Sequence, residues 1–234
     1  MRAQLARLFN DLVGLIYPSK CIVCHATQTS PRTHLLCEKC LTEIAARPLP
    51  NVQAIAEQRS GLAGKHLDAV LAGWHYDEAM QLIIPAFKYR RRPSLSHILG
   101  NMLAQRLQNF LGNENSRSVL VPVPLHPRRG RERGFNQSIL LAQAVAKAWR
   151  MAVLPRALER TRFTQSQAKL EEDEARRKNV EGAFAPAENS PLAGRSIFLV
   201  DDVFTTGATM NACAAALKSA GAARVIGLAL VKAR

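Results

Sequence analysis

The sequence predicts an α/β fold, in which a parallel sheet is flanked by helices and a small cysteine-rich module precedes it. Short apolar runs typical of buried strands alternate with amphipathic segments of about a dozen residues, the pattern of strand–helix–strand units. Four of the five cysteines fall within the first 40 residues. Near the other end, two adjacent aspartates and a threonine-rich loop follow one of the predicted strands. These three features define the expected organisation.

The composition is that of a globular protein with an unusual charge. The chain has 234 residues, 47% of them hydrophobic and 21% charged, which excludes general disorder, a collagen-like chain and a disulfide-dense scaffold. This length predicts one main domain with a small appendage. The 32 Lys and Arg against 18 Asp and Glu give a net charge of +14. Such an excess predicts a polyanionic partner, and a basic protein without a nucleic-acid role is the alternative.

The N-terminal segment has helical periodicity. Arg7 and Asp11 interrupt its apolar run, so a signal peptide is not indicated. We expect a helix packed on the body of the protein; docking on a membrane or a partner helix is the alternative. No stretch reaches the ~18 apolar residues of a spanning helix, so we expect no stable membrane insertion and a cytoplasmic protein. The apolar stripe comprises Leu5, Leu8, Phe9, Leu12, Val13 and Ile16.

Two cysteine pairs predict a metal module. Cys21 and Cys24, then Cys37 and Cys40, form two C-x2-C pairs separated by twelve residues. Each pair can place both thiolates on one ion, and four thiolates complete a closed tetrahedral site that suits structural Zn²⁺. Redox-active pairs are the main alternative. Because this short polar loop cannot bury enough surface to fold alone, chelation is expected to unfold the module and leave the sheet intact.

The remaining elements follow in chain order. Residues 1–50 are predicted to hold the helix and zinc module, residues 47–51 a linker, and residues 51–234 the α/β domain. The predicted strands are 68–76, 119–123, 196–200 and 225–231, the first of them as part of a hairpin. The predicted helices are 78–89, 95–111, 138–149 and 209–220. A polar segment, 161–177, has no clean period.

The segment from residue 197 to 209 predicts a site for a phosphorylated sugar. Its strand runs into Asp201 and Asp202, and a loop of small residues then leads into a helix. Loop amides and the helix N-terminus form an anion cradle, whereas a sugar diol needs paired acceptors such as the two carboxylates. A threonine-capped turn without a ligand is the alternative. The cradle comprises Thr205, Thr206, Gly207, Ala208 and Thr209.

A second segment carries arginines, whose guanidinium groups can donate paired hydrogen bonds to phosphate oxygens. Between residues 121 and 138 a strand ends and a proline-containing loop carries four arginines, Arg128, Arg129, Arg131 and Arg133. Lys88, from another basic cluster, could meet phosphates as well, and His126 is a further candidate within the loop. A solvated basic surface is the alternative for both clusters. Trp74, Trp149 and Phe135 are candidates for stacking on bases.

The run from Val200 to Thr209 resembles the phosphoribosyl pyrophosphate (PRPP) motif of type I phosphoribosyltransferases. With the cysteine pairs, Phe87–Lys88–Tyr89, the arginine loop and the stretch 164–184, the chain resembles the ComF/GntX family almost throughout. The resemblance implies a type I phosphoribosyltransferase-like sheet. It assigns the ribose hydroxyls to Asp201 and Asp202, the 5′-phosphate to Thr205–Thr209, and the pyrophosphate to the arginine loop.

The family resemblance also implies a biological role. It implies that the protein binds PRPP with Mg²⁺, or a nucleotide phosphate, and acts in DNA uptake or utilisation during natural competence. Single-stranded DNA and a competence helicase are the implied partners. An active PRPP-dependent phosphoribosyltransferase of nucleotide metabolism is the alternative, although no dedicated nucleophile is visible in the sequence. Residues 161–184 are expected to act as a hood over the site, or to form an ordinary surface helix.

Overall fold

The computed structural model describes residues 19–28, 35–50, 66–89, 93–111, 117–162 and 179–233. The predicted N-terminal helix and most of the expected hood lie outside these described residues. The strands are β1 (Ser19–Lys20), β2 (Thr27–Gln28), β3 (Ala69–His75), β4 (Ser118–Pro122), β5 (Ala152–Val153), β6 (Leu158–Arg160), β7 (Phe184–Pro186), β8 (Ser196–Phe204) and β9 (Arg224–Lys232). The helices are α1 (Glu38–Ala46), α2 (Glu78–Tyr89), α3 (Leu95–Leu107), α4 (Pro127–Arg133), α5 (Gln137–Trp149) and α6 (Ala208–Ser219).

A five-stranded parallel sheet forms the centre, in the order β3-β9-β8-β4-β5. From β4 the chain crosses through α5 to β5 on one side, and from β8 it crosses through α6 to β9 on the other. The strand order therefore reverses between β4 and β8. In open sheets of this kind, a crevice opens at the carboxyl ends of the strands where the order reverses.

Both faces of the sheet are covered by helices, as the near-continuous apolar strands predicted. Alternate residues of β8 divide between two cores. Phe198 and Val200 pack into a cluster with α2, α3 and α5, whereas Ile197 and Leu199 pack into a cluster with α6. Helices α3 and α5 approach closely at Gly100, where an added Cβ would lie 2.4 Å from the Cβ of Ala144. The predicted parallel α/β fold is confirmed.

The cysteine module packs on this body through α1. Strands β1 and β2 form an antiparallel pair before α1, and Leu36 and Ile44 are buried in the same cluster as α2 and α3. The indole of Trp74, on β3, is fully buried and donates to the carbonyl of Ile44. Trp74 is therefore a core residue, and its suggested role in stacking on bases is wrong. Within the described residues, no helix is long and apolar enough to cross a membrane.

Three local predictions differ from the structure. Among the described residues, the segment 68–76 has no hairpin partner: β3 is paired in parallel with β9, whose residues are distant in sequence. The arginine segment is helical from Pro127 to Arg133, since Pro127 begins the helix and Gly134, at φ 80°, ends it. The predicted helix 95–111 continues beyond Leu107 only as a 3-10 turn.

Candidate ligand-binding cavity and metal centre

A cavity of about 210 Å³ opens at the carboxyl ends of β4 and β8, where the strand order reverses. The end of β8, the following loop and the start of α6 form one wall. The end of α2, the segment after β4, helices α4 and α5, and β6 supply the rest. The lining residues with polar or loop character are Lys88, Arg129, Arg133, Gln137, Ser138, Arg160, Asp201, Asp202, Thr205, Thr206, Gly207, Ala208 and Thr209. The residues predicted for the ribose hydroxyls and the 5′-phosphate therefore all line one cavity.

The two aspartates lie within β8, which continues to Phe204 instead of ending at Val200. An oxygen of Asp201 accepts a hydrogen bond from the hydroxyl of Ser138 at 3.0 Å and another from the backbone N–H of Asp202 at 2.9 Å. The carboxylate of Asp202 lies 2.9 Å from the amine of Lys88. The acidic pair is thus held by α5 on one side and by the end of α2 on the other.

The environment raises the pKa of Asp201. Burial is the main cause, and the neighbouring charge of Asp202 adds to it, while Lys88, the backbone of Asp202 and Ser138 act in the opposite direction. Burial disfavours the charged form of a carboxyl, and a like charge nearby has the same effect. The pair therefore carries less negative charge near neutrality than two exposed aspartates would.

The phosphate-cradle loop begins α6 with a left-handed residue. Gly207, at φ 79°, is the N-cap, and helix α6 starts at Ala208. A side chain at this φ would be strained, so glycine allows the loop to turn into the helix directly below the cavity. The hydroxyl of Thr206 accepts from the backbone N–H of Ala208 at 3.4 Å, whereas Thr205 and Thr209 are half-buried at the cavity wall. This helix N-terminus can bind an anion.

The four arginines of the second segment separate into two pairs. Arg129 and Arg133 are half-buried and line the cavity. Arg128 and Arg131 are exposed, and Arg128 lies 3.5 Å from Glu132 one helical turn away. A loop could have turned all four toward one phosphate, but helical spacing places residues three or four apart on the same side of α4. Arg129 and Arg133 therefore share one side, and Arg128 and Arg131 share another. The cavity therefore receives two arginines and the surface two.

His126 has a structural contact at the start of α4. Its Nδ1 accepts from the backbone N–H of Arg128 at 3.2 Å, which satisfies one of the donors left open at a helix N-terminus. His126 does not line the cavity. The structure gives its ring a capping role, and it is not placed with the predicted phosphate-binding residues.

Three polar residues of the cavity were not identified from the sequence. Gln137, almost fully buried, accepts from Arg133 at 3.0 Å and donates to the backbone carbonyl of Lys88 at 3.3 Å. Ser138 contacts Asp201 as described above. Arg160 stacks over Phe184, with 5.2 Å from its guanidinium carbon to the ring centre, and burial lowers its pKa. Only the position of Arg160, directly before the polar segment, was a signal in the sequence.

The base of the expected hood is an antiparallel hairpin. Strands β6 and β7 pair, with Arg160 opposite Phe184, and the N–H of Thr161 donates to the carbonyl of Ala183 at 3.0 Å. Arg162 extends this stem by donating to the carbonyl of Glu181 at 2.6 Å. The remainder of the segment, residues 163–178, lies outside the described residues. The described residues that flank it are Arg162, which follows β6, and Asn179, which precedes β7, and Arg160 of this stem lines the cavity.

The four paired cysteines form one cluster, with their sulfur atoms all within 4.8 Å of one another. The backbone N–H of Cys37 points to the sulfur of Cys21 at 3.4 Å, and that of Cys40 to the sulfur of Cys37 at 3.5 Å. Although burial opposes the change, backbone hydrogen bonds lower the pKa of Cys21 to about 6. Four converging sulfur atoms with N–H donors behind them fit a thiophilic metal such as zinc.

Comparison with known proteins agrees with this architecture. Residues 137–234 match the phosphoribosyl transferase domain. The chain is 35% identical over 155 residues to the DNA utilization protein YhgH of Escherichia coli O157:H7, covering 64% of this chain and 66% of that protein. It is 29% identical over 150 residues to Competence protein F of Haemophilus influenzae, covering 63% and 65%. It is 28% identical over 158 residues to Competence protein ComFC of Bacillus subtilis, covering 67% and 61%.

The matched region thus spans just under two thirds of these relatives. Among solved structures, the glutamine PRPP amidotransferase of Bacillus subtilis aligns with a TM-score of 0.40 and 21% identity, covering 62% of this chain and 30% of that one. That likeness is too distant to add to the argument. The relatives, the phosphoribosyl transferase domain match and the parallel sheet agree with the resemblance found in the sequence. These findings support the ComF family for this chain.

Proposed function

We propose that this protein binds PRPP or a nucleotide phosphate in the cavity between β4 and β8, and that it acts in DNA uptake or utilisation. One observation carries the proposal. Two aspartates, a phosphate-cradle loop and two arginines meet in a single cavity at the point where the strand order reverses. The names of the relatives, which concern competence and DNA utilization, supply the cellular context.

The cavity is divided in a way that suits a phosphorylated ribose. The amides at the start of α6 would bind the 5′-phosphate, because this helix N-terminus lines the cavity and its N–H groups lack partners within the helix. Asp201 and Asp202 offer acceptors for the sugar hydroxyls, as the family resemblance implies. Arg129 and Arg133, across the cavity, are suited to a pyrophosphate, with Mg²⁺ held mainly by the ligand and by water.

Single-stranded DNA is the proposed macromolecular partner. Arg128 and Arg131 lie exposed on α4, beside the cavity that receives the other two arginines. The net charge of +14 would give a salt-dependent affinity without sequence readout. A competence helicase as partner, which the family resemblance implies, and the cytoplasmic location expected from the sequence complete the proposal.

Zinc is the proposed occupant of the cysteine cluster. Four thiolates close the coordination sphere, so the ion would be structural and would leave no position for substrate. Its role would be to hold the hairpin β1–β2 against α1. This assignment deepens the general finding that the cluster suits a metal, and metal analysis of the purified chain tests it directly.

Calorimetric titration of the zinc-loaded protein with Mg²⁺–PRPP tests the cavity. We expect saturable micromolar binding, and Asp202→Asn should weaken it at least about tenfold because it removes a charged acceptor for the sugar hydroxyls. Glu188→Gln is the matched control, since Glu188 is exposed and outside the cavity. The proposal would be overturned if a folded protein bound neither PRPP nor a nucleoside monophosphate, or if both variants behaved alike.

A further inference from the structure

Lys88 forms an ion pair within the cavity instead of extending toward the arginines. Its amine lies 2.9 Å from the carboxylate of Asp202, and the two side chains are only 19% and 9% exposed. Two such charges in a shielded place stabilise each other more than a surface pair does, because little water screens them. The pair is therefore a fixed part of the cavity wall.

The surrounding residues hold Lys88 at this position. Its backbone carbonyl accepts from the buried Gln137, which also accepts from Arg133. The preceding residue, Phe87, is fully buried and contacts the ring of Phe135 at 6.2 Å between centroids. The end of α2, from which the Lys88 side chain extends to Asp202, is thus anchored from both sides.

The charge of the cavity is positive without any metal. Among the described lining residues, four are basic and two are acidic: Lys88, Arg129, Arg133, Arg160, Asp201 and Asp202. A divalent cation needs carboxylate oxygens that are open to it, since Mg²⁺ binds through one or two carboxylates with water. Here one oxygen of the pair is used by Lys88, and an oxygen of Asp201 accepts from Ser138 and from a backbone amide.

We infer that the ammonium group of Lys88 takes the position that a divalent cation would occupy at the acidic pair, so that the ribose-phosphate half of the cavity binds its ligand without a metal. Any Mg²⁺ then enters only with a pyrophosphate group. This inference rests on the proposed function for the identity of the ligand. It assigns Lys88 a role in ligand specificity, because a ribose monophosphate then binds without a metal and without a pyrophosphate group.

Binding of Mn²⁺ to the ligand-free, zinc-loaded protein tests the position of the amine. Electron paramagnetic resonance counts the Mn²⁺ bound by the wild type, Asp202→Asn, Lys88→Arg and Lys88→Met. We expect the first three to bind alike and Lys88→Met to gain one additional ion, which the double variant Lys88→Met with Asp202→Asn loses. A wild type that binds more Mn²⁺ than Asp202→Asn would overturn the inference, and so would an unchanged Lys88→Met.

Titration with ribose 5-phosphate tests the consequence for ligand binding. We expect the affinity of the zinc-loaded wild type to change less than about twofold between buffer without added Mg²⁺, cleared of free metal by a chelating resin, and buffer with excess Mg²⁺, since the counter-charge is built in. Lys88→Met should lose at least about tenfold in the Mg²⁺-free buffer and recover in part with Mg²⁺, whereas Lys88→Arg should remain independent of Mg²⁺. A wild type that binds only with Mg²⁺ contradicts the inference. Absence of binding by ribose 5-phosphate, PRPP and nucleotides alike contradicts the proposed function, while the Mn²⁺ result still decides the role of Lys88.

Discussion

The indole N–H of Trp74 donates to the backbone carbonyl of Ile44 at 2.8 Å, and this bond joins the edge strand β3 to the helix of the cysteine module. Arg106 on α3 reinforces the junction by donating to the carbonyls of Gly73, Ala45 and Arg47, and its guanidinium lies 5.0 Å from the ring of Trp74. Arg47 in turn forms an ion pair with Asp77. The module and the sheet thus share buried contacts.

This junction changes the expected result of metal removal. Chelation should still unfold the module first, because its loop depends on the metal, but it should also expose Trp74 and lower the thermal stability of the sheet domain. The change can be followed by Trp74 emission in a Trp149→Phe background, with far-UV circular dichroism of the same sample. We expect a red shift with most of the secondary structure retained. An unchanged melting temperature of the sheet would show that the two parts are independent.

Replacing Arg106 with methionine should lower the free energy of unfolding by about 2–4 kcal/mol, because carbonyls at the junction lose a charged donor. Arg106→Lys should lower the free energy of unfolding almost as much, since an ammonium group cannot reach all three carbonyls as the planar guanidinium does. Chemical unfolding of both variants measures the loss. Arg131→Met, on the exposed side of α4, is the control and should change stability by less than about 0.5 kcal/mol. Equal effects at the two sites would contradict the role of the junction.

Two double variants that remove the same charge can distinguish the role of the cavity-lining arginines from that of the exposed arginines. Arg129→Ala with Arg133→Ala should weaken PRPP binding at least about tenfold, because both arginines line the cavity. Arg128→Ala with Arg131→Ala should leave PRPP binding unchanged and reduce the salt slope of single-stranded DNA binding by about 1.4, the value for two lost phosphate contacts. Titrations at several salt concentrations measure both. If the exposed pair leaves the slope unaltered, α4 is not part of the DNA surface.

The raised pKa of Asp201 predicts a pH dependence of stability. Burial and Asp202 raise this pKa to about 7 from an ordinary value of 3.8, so the folded protein holds the proton more tightly than the unfolded chain. The resulting stabilising contribution to the free energy of unfolding is fully present below about pH 4 and is lost as the pH rises through about 7. The groups facing Asp201 are Asp202, Lys88, Ser138, Arg160 and Cys213.

Asp201→Asn isolates this contribution, because the amide oxygen can still accept from Ser138. Relative to the variant, the wild type should lose free energy of unfolding as the pH rises from about 5 to about 8. Urea unfolding of both proteins across that range measures the difference in free energy of unfolding. The contributions of the other titrating groups cancel in this difference. A constant difference between wild type and variant would show that Asp201 titrates at its ordinary pKa.

Local sequence patterns were enough to predict the cysteine cluster, the parallel sheet and the acidic segment. The cysteine spacing indicated one cluster because two residues between ligands bring a pair together whatever surrounds it, and Cys21, Cys24, Cys37 and Cys40 do converge. The alternation of apolar runs indicated a parallel sheet, since strands buried on both faces need helices between them. The acidic pair, Gly207 and the threonines form one continuous segment, so their proximity was determined by the chain itself.

Relationships between distant segments depended on the tertiary structure. Lys88 and Asp202 are separated by more than a hundred residues, and only the packing of α2 against the sheet brings them to 2.9 Å. Arg160 enters the cavity because β6 pairs with β7 across the expected hood, which no local period could indicate. The place of β3 in the sheet depends on its pairing with β9, and the indole of Trp74 finds its hydrogen-bond acceptor only in α1. The sequence by itself determined which groups the protein carries and where each local turn forms, because those depend on neighbouring residues. The tertiary structure decided which charges face one another, because that depends on contacts between elements far apart in the chain.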